Sequence, residues 1–254
     1  MHARSIIMIL ILIAIIGFAN AARITVAPEG ADCSKIQQAL NNASDGDVIE
    51  VQSGRYVEHV YILHSVALIG IDTGNGRPVI DANGSSSAIT LRANGTRIEG
   101  FNLTGSGGCG CGNAGIFIDS SDNIILNNIL YKNRYGIYIE EGATNNTIHS
   151  NDFLGNRVAA NDTVGNRWSM EMKEEGLMGL LKGAKVIGNH YSDYDEPGEG
   201  CNYTNSDGFC DEPRTIRDGP GIDEHPLVAP IKAYHKESSN TYRYCSNTGD
   251  LYDQ

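Results

Sequence analysis

Ile98-Glu-Gly-Phe101-Asn-Leu103, Ile125-Leu-Asn-Asn128-Ile-Leu130 and Ile148-His-Ser-Asn151-Asp-Phe153 share one pattern: an apolar residue, a corner residue three on, and an apolar residue five on. Val66-Ala-Leu-Ile69-Gly-Ile71 and Val186-Ile-Gly-Asn189-His-Tyr191 follow the same rule. A second motif runs beside it in Ile89-Thr-Leu91, Ile116-Phe-Ile118 and Ile137-Tyr-Ile139. Ile98 and Ile125 are 27 residues apart, Ile125 and Ile148 are 23 apart, and Ile116 and Ile137 are 21 apart. Short alternating segments repeating every ~20–30 residues are the signature of a solenoid. A strand of three to five residues cannot bury its apolar face alone, so successive turns must stack about 4.8 Å apart to close a core. The expected fold is all-β, a right-handed parallel β-helix.

Three features surround the repeats. Ile36, Ala39, Leu40 and Ala43 lie on one face of a short helix, with Ser34 as its expected cap residue and Gly46 ending the turn that follows. This helix, at about 33–46, is placed to cover the open end of the stack. Asn128, Asn151 and Asn189 are expected to stack as an amide ladder, with Phe101 in the equivalent place of an earlier coil. The glycines before Ile116 and Ile137 are expected to turn corners. Two segments break the rhythm. Residues 104–114, rich in glycine, should bulge as a loop. Residues 168–181 read as a hairpin over the last coil, with a short helix as the alternative.

The first residues have another character. Met1-His-Ala-Arg4, the apolar run Ile6–Phe18 and Ala19-Asn20-Ala21 read as a secretory leader over 1–21 with Ala22 as the mature N-terminus. The run is too short for a bilayer span, so no membrane span is expected after its removal. Residues 22–230 are expected to form one β-helix domain, with an irregular acidic loop at 193–226 and a polar tail at 231–254. A secreted or cell-surface location follows. The sequons at Asn42, Asn83, Asn94, Asn102, Asn145, Asn161 and Asn202 then become candidate glycan sites, and the six cysteines become disulfide candidates. Cys201 and Cys210 bracket one compact loop and are the expected pair. A net charge of −12 argues against a nucleic-acid partner.

Gly188-Asn-His-Tyr191-Ser-Asp193-Tyr194, Asp207-Gly208-Phe-Cys-Asp211-Glu-Pro213 and Asp223-Glu-His-Pro226-Leu227 resemble the closing motifs of the NosD-like parallel β-helix family. Gly46-Asp47-Val-Ile49-Glu-Val51 resembles that family's first strand. The resemblance spans most of residues 33–230. It implies the β-helix fold and a place among periplasmic and surface proteins, including one that helps assemble a copper enzyme. His190, where the family carries an aromatic residue, and the Cys201/Cys210 bracket depart from its pattern.

Chemistry concentrates in the acidic loop. Asp193, Asp195, Asn205, Asp207 and Asp211 are candidate oxygen ligands for calcium, with Gly208 allowing a tight turn; an ion-free acidic turn braced by a disulfide is the alternative. A copper role would draw on Cys109, Cys111, Met170, Met172 and Met178, with His149, His190 and His225 scattered in sequence. A carbohydrate-active enzyme needs facing carboxylates. Asp119, Asp122, Glu140, Glu141 and Asp152 form no recognisable acid–base motif, and fold alone does not make an enzyme. The reading is a structural and binding module, with polysaccharide, cell-envelope components or a second copy of the chain as partners and calcium as the candidate cofactor.

Overall fold

The computed structural model describes residues 21–108, 112–171, 186–204 and 207–231, and the backbone alone of Arg243–Cys245 and Leu251–Asp253. Residues 1–20 of the expected leader lie outside the described residues, as do Cys109, Cys111, Met172, Met178 and Asn205.

Three parallel sheets wind around one core, with six, six and five strands. The first face runs Arg23–Val26, Val48–Gln52, Ala67–Ile71, Arg97–Glu99, Ile124–Leu126 and Thr147–His149. The second runs Arg55–Val57, Val79–Asp81, Asn102–Thr104, Ile129–Tyr131, Asp152–Leu154 and His190–Tyr191. The third runs Val60–Ile62, Ile89–Leu91, Ala114–Ile118, Tyr135–Ile139 and Val158–Asp162. The chain visits the faces in that order, so every neighbour in a sheet belongs to the next coil. Ile98, Ile125 and Ile148 stack in register and are fully buried, as the repeat spacing requires.

Two register expectations are corrected. Leu68, not Val66, pairs with Ile98, a slip of two residues that keeps the inward face inward. Asn189 and Tyr191 take their expected places beside Asn151 and Phe153, but Ile148 receives Arg167 as its upper neighbour instead of Val186. Val186 and Ile187 pair antiparallel with Glu171 and Met170, as the ends of a hairpin would. The intervening residues 172–185 are outside the described part.

One device turns all three corners. A residue with positive φ is followed by an asparagine whose Oδ1 accepts a backbone N–H from the coil below. At the first corner the positive-φ residues are Gly100, Asn127 and Ser150, and the ladder runs Phe101 N to Asn128, Asn128 N to Asn151 and Asn151 N to Asn189. At the second, Lys132 precedes Asn133, which accepts from Ser106 N and donates to Asn156. At the third, Asp122 and Asn145 precede Asn123 and Asn146, and the ladder runs Thr96–Asn123–Asn146–Asn166. Buried backbone donors at a corner lie outside any strand, so these amides satisfy groups that would otherwise be orphaned. Gly115 and Gly136, expected at corners, sit inside strands instead. A Cβ on Gly136 would fall 2.5 Å from the Ala159 carbonyl oxygen and 2.6 Å from Phe153 Cδ1, so close packing excludes a side chain there.

Both ends are closed. Helix Ile36–Asn42 buries Ile36, Ala39 and Leu40 against the first coil. Ser34 does not cap it. The Glu58 carboxylate accepts from Ile36 N and Gln37 N at 3.1 and 3.0 Å, placing negative charge at the helix start. The Gln37 amide accepts from Tyr61 N and donates to Tyr61 O, so it occupies the edge of the third sheet as a further strand would. At the other end, the acidic loop expected to be irregular folds over the stack. Arg214–Thr215 pair antiparallel with Ile222–Asp223, and Leu227 bridges to His190. Two of the corner ladders terminate on buried aspartates. Asp162 accepts from Asn166 N, Asn166 Nδ2 and Trp168 Nε1. Asp223 accepts from Asn189 N, Asn189 Nδ2 and Tyr191 Oη through one oxygen and from His225 N through the other.

Two buried groups titrate in opposite senses. Burial, and then the field of Arg97, lowers His149 from 6.5 to about 4. Its contribution to stability is therefore present above pH 6.5 and lost as pH falls through about 4. Burial outweighs the donors around Asp223 and raises it to about 6. That contribution is present below the ordinary carboxylate value and lost as pH rises through 6. Between pH 6.5 and 4 the two offset, so the separate effect is read in a variant. His149→Gln should lose less melting temperature than the wild type between pH 7 and pH 4.5; parallel curves would place His149 in solvent.

Candidate binding cleft

The third face ends in a cleft of about 320 Å³ between Arg157–Ala160 of the last full coil and Arg214–Gly219 of the closing loop. Three guanidinium groups line it. Arg214 lies over the ring of Tyr191 at 4.3 Å and of Tyr194 at 5.3 Å, and its Nη2 holds Asp193 at 2.9 Å. Arg217 pairs with Asp218 at 3.5 Å, and Asp218 also accepts from Asn161 Nδ2 at 2.6 Å. Arg157 is exposed, with no acidic partner among the described residues. Its backbone N–H bonds to Asn133 O, and Val158 N bonds to Arg134 O, which places Asn133 and Arg134 directly below on the preceding coil. There Lys132 lies 4.9 Å over Tyr131 and Arg134 lies 5.7 Å over Tyr135. Five of the chain's 19 lysines and arginines thus form one stripe along a corner, three of them resting on tyrosine rings. The chain carries −12 overall, so this gathering of cations is a local reversal of sign.

Of the residues expected to hold calcium, Asn205 lies outside the described residues, and the four carboxylates have separate partners. Asp193 is tied to Arg214, and Asp195 Oδ2 lies 3.1 Å from His190 Nε2. Asp207 accepts from Phe209 N, and Asp211 accepts from Thr204 N and Oγ1. Each carboxylate is satisfied by its own local donor, and among the described residues no group of three His, Cys, Asp or Glu side chains converges on an ion position. The histidines considered for copper also stand apart. His149 Nδ1 meets Ser150 Oγ, His190 is buried beside Asp152 and Asp195, and His225 packs edge-on against Phe209. Met170 is exposed at the hairpin end. The acids weighed for catalysis are dispersed too: Asp119 pairs with Arg92, Asp122 with Asn145, and Asp152 is buried and accepts from Ile231 N. The two carboxylates that do line the cleft, Asp193 and Asp218, are each paired with an arginine.

Cys201 and Cys210 are joined by a disulfide that closes the loop. Asn42, Asn83, Asn94, Asn145 and Asn202 are exposed, and Asn102 is partly covered within a strand. Asn161 is the exception. It is only 3% exposed and its amide nitrogen is spent on Asp218, so the folded chain offers no room for a glycan there.

Comparison with known proteins gives the architecture its relatives. Residues 75–196 match the family described as periplasmic copper-binding protein (NosD). Over that span, just under half of its length, the chain is similar to NosD-type β-helix proteins. It is also 31% identical over 131 residues to a cell surface glycoprotein of Methanothermus fervidus, an alignment covering 50% of this chain and 20% of that protein. The NosD match ends at residue 196, so most of the closing loop, including Arg214 and Arg217, lies beyond it. The basic stripe of this NosD-like chain escaped the sequence reading because its members are isolated in sequence and searching for acid pairs passes over them. Lys132 and Arg134, two apart and each following a tyrosine or preceding one, were the available signal.

Proposed function

We propose that the protein is an exported, glycosylated surface module that binds an acidic polysaccharide of the cell envelope along the stripe Lys132–Arg134–Arg157–Arg214–Arg217. The gathering of cations on an acidic chain, three of them over tyrosine rings, is the observation that carries this reading. Guanidinium groups recognise carboxylate or sulfate in bidentate fashion, and the rings beneath hold them in place without consuming their donors. The glycoprotein relative and the five exposed sequons support the location, and the loop disulfide suits an oxidising compartment. Asp193 and Asp218, neutralised by Arg214 and Arg217, favour binding over hydrolysis, which needs carboxylates free to exchange protons.

The test is the double substitution Arg157→Ala/Arg217→Ala, which spares Arg214 and its packing on Tyr191. Its affinity for polygalacturonate should fall by at least about tenfold, equivalent to ~1.4 kcal/mol, with the melting temperature unchanged. Equal affinity in variant and wild type would remove the cleft from the binding surface. Release of shortened chains by the wild type would assign catalysis instead.

A further inference from the structure

The residue that the sequence places first after the leader is held in the first face of the coil. Ala22 is the first residue to join the first face: its carbonyl accepts from Val48 N at 2.8 Å, and Arg23 pairs with Val48. Its nitrogen donates to Asp47 Oδ1 at 2.7 Å. Asp47 is 7% exposed and its other oxygen accepts from Ser44 N at 2.8 Å. It stands in the turn between the capping helix and the strand Val48–Gln52, and its own carbonyl accepts from Ala67 N. Among the described residues no lysine, arginine or histidine pairs with it. The backbone donors of Ser44 and Ala22 hold its carboxyl below the ordinary range, so it is an anion at neutral pH.

We propose that the exported chain begins at Ala22 and that its α-ammonium pairs with the carboxylate of Asp47, locking the N-terminus, the capping helix and the first two coils together. The step that creates the charge is hydrolysis of the peptide bond between Ala21 and Ala22 by a leader peptidase. Water supplies hydroxide to the Ala21 carbonyl carbon and a proton to the Ala22 nitrogen, which takes a further proton at neutral pH. The atom that gains the charge is the one already bonded to Asp47. In the precursor the contact is a neutral amide on a carboxylate; in the processed chain it is a charge pair, a stronger interaction. Leader removal therefore completes the N-terminal end of the solenoid as well as releasing it.

Two measurements on the exported protein test this. Its intact mass should correspond to a start at Ala22. The pH at which an amine-reactive reagent labels half of the α-amine should lie above the ordinary value of about 8, because the anion stabilises the charged form. Asp47→Asn should bring it down by at least about half a unit. Should that variant fail to fold, a chain with one glycine added before Ala22 keeps Asp47 and moves the ammonium by ~3.5 Å; its amine should label at the ordinary pH. A start at another residue, or one half-labelling pH shared by wild type and variants, would overturn the proposal.

Discussion

Asp223→Ala is expected to lower the melting temperature by about 6–12 °C, the shift that a loss of at least ~3 kcal/mol produces in a chain of this size. One oxygen of Asp223 accepts from Asn189 N, Asn189 Nδ2 and Tyr191 Oη, and the residue is fully buried. Alanine leaves Asn189 N, Tyr191 Oη and His225 N without this acceptor, while Asn189 Nδ2 keeps the Ile148 and Trp168 carbonyls, and each orphaned buried donor costs about 1–3 kcal/mol. The damage should spread. Asn189 Oδ1 receives Asn151 N and Nδ2, so a misplaced Asn189 loosens the ladder below it. Asp223→Asn, which retains one acceptor oxygen, should lose less. Calorimetry reads both, and a shift below about 2 °C in the alanine variant would mean that the ladder does not depend on its terminal carboxylate.

The second large effect belongs to the middle of the same ladder. Asn151 is fully buried; its Oδ1 accepts from Asn128 N and Nδ2, and its Nδ2 donates to Ile125 O, His149 O and Asn189 Oδ1. Asn151→Leu removes every one of these contacts while keeping a similar volume, so the loss is one of polar satisfaction. About 2–4 kcal/mol is expected, or roughly 5–15 °C. Affinity for polygalacturonate below the transition should be unchanged, because Asn151 is remote from the cleft lining. An unchanged melting temperature would place Asn151 toward solvent and shift the register of the whole first corner.

The stack was legible because its signal is local and repeated: Ile98, Ile125 and Ile148 announce one inward column, and Asn128, Asn151 and Asn189 announce one ladder. A second ladder was equally regular, with Asn123 and Asn146 two residues before Ile125 and Ile148, yet the eye follows the apolar positions and passes over it. Val66 misled because Leu68 and Ile69 follow so closely that the apolar pattern alone fits two registers. Gly115 and Gly136 read as corners because glycine usually marks turns; their constraint is the next coil's carbonyl, of Gly136 and of Ala159, joined at Gly136 by the Phe153 ring. Long-range partners explain the other misses. Glu58 caps a helix that begins 22 residues earlier, and Asp223 ends a ladder 34 residues from its partner. In the acidic loop, where carboxylates crowd the sequence, Asp193, Asp195 and Asp211 have Arg214, His190 and Thr204 as partners. The basic stripe is assembled from three separate stretches of chain, and only the stacking of coils makes it continuous.

Calorimetric titration of the purified protein with polygalacturonate and with a neutral polysaccharide of similar length, at about 0.05 M and about 0.5 M salt, tests the basic stripe most directly. Exposed charges are screened beyond ~10 Å at 0.1 M and beyond shorter distances as salt rises. Saturable binding of the acidic polymer that weakens at the higher salt, with no binding of the neutral one, is the predicted result. Equal binding of both polymers at both salt concentrations, or binding of neither, would contradict it.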